Sequence, residues 1–233
     1  MPTPLLNTSV AQLVTDRPAR ARVFETLGID YCCGGDHSLA EACRKNDLDP
    51  DTVVRMLDAL SAPTLSDETD WTEAPLGALI DHIVETHHAF LRRELPELET
   101  LLLRVVDAHG DEVDWLSPVL EVFQALKPDL ETHMMTEEER VFPSIRALTD
   151  GAAGDGVPLD TTGIDAMIKE HDDSGAVLER LRTLTNDYTP PEDACPKFRS
   201  ALDRLRSLEL DMHQHIHKEN NILFPRARSL ARQ

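Results

Sequence analysis

Two histidine–glutamate pairs stand in nearly identical surroundings: His133 and Glu137 in HMMTEEERVFP (residues 133–143), and His215 and Glu219 in HIHKENNILFP (residues 215–225). Residues four apart on a helix lie on one face, a turn apart, so each pair can grip one metal centre. The repeat reaches further. His88 and His171 stand 83 positions apart, and each is followed seven residues on by a leucine, Leu95 and Leu178. A duplicated helical hairpin would gather His88, His133, His171 and His215 with Glu137 and Glu219 in a bundle core.

Structural zinc takes four ligands, usually with thiolates among them, so six N and O ligands are too many for one zinc ion. They suit two six-coordinate ions. With both glutamates bridging, each ion receives two histidines and carboxylate oxygens, close to the 2-His-1-carboxylate set that leaves open positions on non-haem iron. A single H-x-x-x-E is most often an exposed ion pair, and histidines that merely cap or hydrogen-bond are the competing reading. Two copies with matched Phe-Pro ends and matched outlying histidines favour metal. Asp129 and Asp211, each four residues before a repeat histidine, are candidates to orient the histidine of their own or a neighbouring helix. His87 lies on the apolar stripe Leu76, Ile80, Ile83, Phe90 as well as His88 does, so only the repeat offset favours His88. His82, His109, His213 and His217 break the repeat and read as surface residues or supports behind the ligands.

A second chemical feature is Cys32-Cys33 in GIDYCCGGDHS, residues 28–38. Gly34-Gly35 is expected to let the backbone turn and expose the sulfurs. Adjacent cysteines form only a strained disulfide, so they suit thiol exchange, transient metal binding or nitrosation, with inert turn residues as the alternative. Cys43 and Cys195 read as isolated structural thiols, and all four cysteines are expected to be reduced.

These residues need helices to hold them. Four long stretches of helical periodicity run near 76–106, 117–145, 162–185 and 195–230, and no segment alternates as a strand does. Ser117-Pro118 is the expected cap and first-turn pair of the second. Residues 9–60 suggest short helices, and APTLSDETDWTEAP (62–75) reads as a linker. The expected organisation is all-α: a small helical domain at 1–62, a linker at 63–75, and a four-helix bundle at 76–233. The net charge of −20 argues against a phosphate backbone as partner. No apolar run is long enough to span a bilayer. The N-terminus lacks the pattern of a secretory signal, so a cytoplasmic location is expected.

HMMTEEERVFP, KEHDDSG and HIHKENNILFPRA, with DYCCGG near the N-terminus, resemble the iron-sulfur cluster repair di-iron proteins over nearly the whole chain. That family joins a small di-cysteine domain to a haemerythrin-like four-helix bundle. The resemblance implies two non-haem iron ions (Fe2+/Fe3+), oxo- and carboxylate-bridged, on His88, His133, Glu137, His171, His215 and Glu219. It implies a chemical role for Cys32 and Cys33, damaged iron-sulfur proteins as partners, and nitric oxide or O2 as small ligands; it leaves a homodimer open. The family often has Tyr-His where this chain has His87-His88. The expected function is repair of iron-sulfur clusters damaged by nitrosative or oxidative stress, by supplying iron. The rival readings are reduction of nitric oxide at paired irons and sensing of O2 or nitric oxide.

Overall fold

In the computed structural model, residues 4–60, 69–149 and 159–232 are described. Residues 63–68 of the expected linker and residues 150–158 lie outside them. The described residues are mainly helical, and their only bridge outside helices is an isolated antiparallel one between Ser9 and Ser38.

The N-terminal helices are short because each has its own punctuation. Ser9 caps α1 (Val10–Asp16) by accepting from Gln12 N. α2 (Ala21–Leu27) ends on Gly28 at φ 66°, a left-handed conformation that glycine adopts without a Cβ penalty. Ser38 and Glu41 close a capping box on α3 (Leu39–Lys45), and Asp49-Pro50 starts α4 (Pro50–Ala59).

Three of the four long helices are interrupted by a π turn. α5 (Leu76–His82) passes through a π turn at Ile83–His88 into α6 (Ala89–His109). α7 (Leu116–Thr136) passes through Glu137–Val141 into α8 (Phe142–Thr149), and α10 (Pro196–Lys218) through Glu219–Leu223 into α11 (Phe224–Leu230). α9 (Thr161–Leu184) is regular. Phe-Pro therefore does not close these helices. A π turn is wider than an α turn, so the helix can continue past a proline that would obstruct a regular one. Ser117 is not the cap of α7 either: Trp115 holds that position with no side-chain hydrogen bond.

α6 packs between α7 and α10, α7 packs on α9, and α9 on α10, which closes a ring of four helices. One apolar cluster joins the N-terminal helices (Val10, Phe24, Leu39, Leu57) to the adjoining part of the bundle (Leu91, Leu98, Phe123, Leu202). Another fills the opposite end with Leu79, Ile83, Phe142, Ile145, Ile164 and Phe224. On each long helix the repeat histidine falls between a residue of one cluster and a residue of the other. The polar layer is thus sealed above and below by hydrocarbon.

Candidate metal centre

In that layer the six repeat residues converge. His88, His215, Glu137 and Glu219 form one group of potential ligands, and His133, His171, Glu137 and Glu219 a second, each with its ligand atoms within 4.8 Å of one another. Both carboxylates belong to both groups. Glu137 and Glu219 are 0% exposed. Glu137 meets Nε2 of His88 and Nε2 of His133 at 3.3 Å each, and Glu219 meets Nε2 of His171 and of His215 at 3.1 Å each. Both oxygens of Glu137 and Oε2 of Glu219 nevertheless lack a hydrogen-bond partner.

The surroundings fix which way each imidazole faces. His88 Nδ1 lies 2.5 Å from Glu138 Oε1, His133 Nδ1 2.8 Å from Glu170 Oε2, and His171 Nδ1 2.8 Å from Asn220 Oδ1. Those oxygens accept, so each Nδ1 donates and each neutral ring turns a bare Nε2 inward. The inward nitrogens of His133 and His171 then stand 3.0 Å apart, and those of His88 and His215 3.3 Å apart. Lone pairs opposed at that distance beside buried carboxylates require a cation, a proton or a metal, between them. The donor set fits metal.

Electrostatics agree. Burial disfavours the His133 imidazolium, but Glu137 outweighs it and raises the pKa to about 10; His88 is raised in the same way by Glu137 against burial. Burial pushes Glu137 and Glu219 up, yet His133 and His88 hold Glu137 below the carboxylate range, and His215 and His171 hold Glu219 well below it. Phe142 stacks on His88 at 5.8 Å and Phe224 on His171 at 6.2 Å between ring centres. The Phe of each Phe-Pro is therefore a wall of this layer.

His87 does not enter the cluster. Its Nδ1 donates to Asp211 Oδ1 at 2.9 Å, its Nε2 accepts from Lys218 Nζ at 2.9 Å, and its ring lies parallel to His215 at 5.3 Å. Burial and the Lys218 charge lower its pKa to about 3, so the ring is neutral and both nitrogens are engaged. Asp211 thus orients a histidine of a neighbouring helix. Its other oxygen and His215 Nδ1, one turn away, are both buried without a hydrogen-bond partner. Asp129, by contrast, is exposed, and Glu170 serves His133 instead. Spacing does not single out Glu138, Glu170 or Asn220, although the repeat holds a signal for two of them. Glu138 and Asn220 each follow the glutamate of their copy, and each orients the histidine of the preceding helix.

The thiol loop does not expose its sulfurs as glycine content suggests. Cys32 is 4% exposed and Cys33 half-buried. Asp30 folds the turn inward: Oδ1 accepts from the backbone N–H of Cys32 at 2.9 Å and of Cys33 at 3.0 Å, and Oδ2 from Gly34 at 2.7 Å. Gly35 serves close approach, since a Cβ there would lie 2.6 Å from both Tyr31 O and Ala11 Cβ. The sulfurs are 3.7 Å apart, and Cys33 Sγ sits 3.5 Å from the carbonyl of His171. The hydrogen bond to Cys33, with burial, raises the Cys32 pKa well above the thiol range, so this thiol stays protonated while seated. Of the remaining histidines, His217 is buried and His213 half-buried, and both pack edge-on against Tyr31. Cys43 is in the core, whereas Cys195 caps the start of α10 with its sulfur 3.3 Å from His109 Nε2.

Helices carrying inward His and Glu around a cation site define a class. A model of the Hemerythrin HHE cation binding domain matches residues 79–227, and one of a Domain of Unknown function (DUF542) matches residues 6–61. The iron-sulfur cluster repair protein YtfE of Pectobacterium atrosepticum is 36% identical over 220 residues, covering 94% of this chain and 96% of that protein. The protein of the same name from Escherichia coli O81 is 35% identical over 219 residues, covering 94% and 95%. The chain belongs to the hemerythrin HHE family, in the group formed with these repair proteins.

Proposed function

We propose that this protein holds two carboxylate-bridged non-haem iron ions at His88, His133, Glu137, His171, His215 and Glu219, and supplies iron to iron-sulfur clusters damaged by nitrosative or oxidative stress. The observation that carries this reading is the pair of donor groups sharing Glu137 and Glu219. Bound iron would supply a redox-variable metal with open positions; the chain's own groups set its environment. Shared carboxylates answer to the charge of the ions they hold, so reduction loosens the grip and favours release. Residues 1–62 are the thiol-bearing unit in this account, and residues 76–233 the iron-holding bundle. Cys32 and Cys33, with the second sulfur 3.5 Å from the His171 carbonyl, stand where iron leaving the layer or a nitrosyl group would be taken up. The partners are damaged iron-sulfur proteins met in the cytoplasm.

Reactivation of a nitric-oxide-damaged iron-sulfur enzyme by the iron-loaded protein is the test. Native protein restores activity, and a Cys32→Ala, Cys33→Ala chain keeps its iron yet repairs poorly. Full repair by that variant removes the cysteines from the account; no repair by the native protein removes the function. The adjacency of the two donor groups also favours a second reading, in which two nitric oxide molecules, two electrons and two protons give nitrous oxide and water. Anaerobic nitrous oxide production distinguishes it.

A further inference from the structure

The π turn Glu219–Leu223 sends three consecutive side chains to three destinations. Glu219 enters the donor cluster, and Asn220 accepts from His171 Nδ1 at 2.8 Å. Asn221 turns to the thiol loop: its Nδ2 donates to Cys32 O at 3.2 Å and to Tyr31 O at 3.4 Å, and lies 3.1 Å from His217 Nδ1. Two further observations tie the same turn to the N-terminal helices. α1 packs directly on it, and His217 braces the seam with Nδ1 3.4 Å from Tyr31 O and its ring edge-on to Tyr31 at 5.5 Å. On the facing helix a Cβ added at Gly175 would lie 3.4 Å from Cys33 Sγ, so the loop rests closely on α9.

Seated this way, Cys32 is 4% exposed and Cys33 is half-buried against α9, so Cys32 reacts only when the loop leaves its seat and Cys33 is hindered until it does. We infer that Asn221 is the positioning residue that ties the Cys32–Cys33 loop to the metal layer, so that metal occupancy of the His/Glu centre governs access to the two thiols. The inference rests on the metal reading above. A cation between the facing nitrogens and carboxylates clamps Glu219 directly and Asn220 through His171. The turn that carries both then holds Asn221 on the loop carbonyls. Without the metal those ligand bonds are absent, the turn is held only by hydrogen bonds, and the loop opens more often. A thiol that reacts only from the open loop is alkylated at a rate set by the open population.

The test compares iodoacetamide alkylation of each cysteine, read by mass spectrometry, in the full chain without metal and with ferrous iron added anaerobically. Cys32 and Cys33 react at least about fivefold more slowly in the loaded protein, the lower end of ordinary coupling between sites. Cys195 is the internal control: it pairs with His109 at the far end of α6, about 30 Å along the helix from His88, and its rate does not change. Asn221→Ala binds the same amount of iron with the same helical circular dichroism, yet both loop thiols react fast in either state. Asn221→Gln, which keeps the amide donor, restores part of the protection. Iron binding without protection in the native protein overturns the inference and leaves the metal reading intact. Protection that survives Asn221→Ala also overturns it, since the iron then sits on the sulfurs themselves. If no iron binds, the metal reading falls and the inference with it.

Discussion

Glu137 and Glu219 are ionised groups with no exposure, held by imidazoles that four different helices bring to them. Their orienting partners are the next most sensitive residues. Glu138→Ala, Glu170→Ala and Asn220→Ala each free an imidazole to rotate, and each is expected to weaken iron binding by roughly 10- to 100-fold. Asp211→Ala belongs with them through His87 and the adjacent His215, whereas Asp129→Ala is expected to change nothing. Competition with a chelator of known affinity measures all five. Protons compete for the same nitrogens. The His133 pKa is raised from 6.5 to about 10, so its charge stabilises the metal-free fold fully below pH 6.5, and that contribution is lost as pH rises through about 10. Ligation needs the neutral ring, so iron binding at pH 7 releases protons and tightens as pH rises. Calorimetry in two buffers of different ionisation enthalpy reads that release directly; zero release would contradict a protonated His133.

At the scale of elements, the sequence and the structure agree where periodicity carries the information. The stretches near 76–106, 117–145, 162–185 and 195–230 foreshadow the four long helices, because apolar residues at helical spacing must face one core. The π turns are not legible that way. One extra residue per turn leaves the surrounding period nearly intact, so the stretch near 117–145 reads as helix through HMMTEEERVFP without showing that it widens at Glu137–Val141. The thiol loop misleads for a related reason. Gly34-Gly35 signals a turn, but not which way the turn faces, and that is decided by the Asp30 side chain and the fit of Gly35 against Ala11. Gly35→Ala puts a methyl group 2.6 Å from a carbonyl oxygen and from a packed methyl group. It is expected to destabilise the protein by roughly 1–3 kcal/mol in urea unfolding, the ordinary cost of overpacking. A stability equal to native would mean that the loop seat has room.

Across the whole molecule, the N-terminal helices and the adjoining part of the bundle share one apolar cluster, so the thiol loop is seated by the same core that positions the ligands. The six convergent residues were legible because an internal repeat fixes them twice. The seam was not, because His213, His217 and Asn221 have no counterpart that marks them as partners of a loop nearly two hundred residues away. The polar layer of paired His and Glu groups is sealed between two apolar clusters, which fits it to hold a buried cation. The most direct test is metal content with an optical spectrum, for the purified native chain beside one carrying Glu137→Ala and Glu219→Ala. The account predicts about two irons per native chain with near-ultraviolet charge-transfer bands, and loss of both in the variant. Zinc, no metal, or iron content that the double substitution leaves unchanged would contradict it.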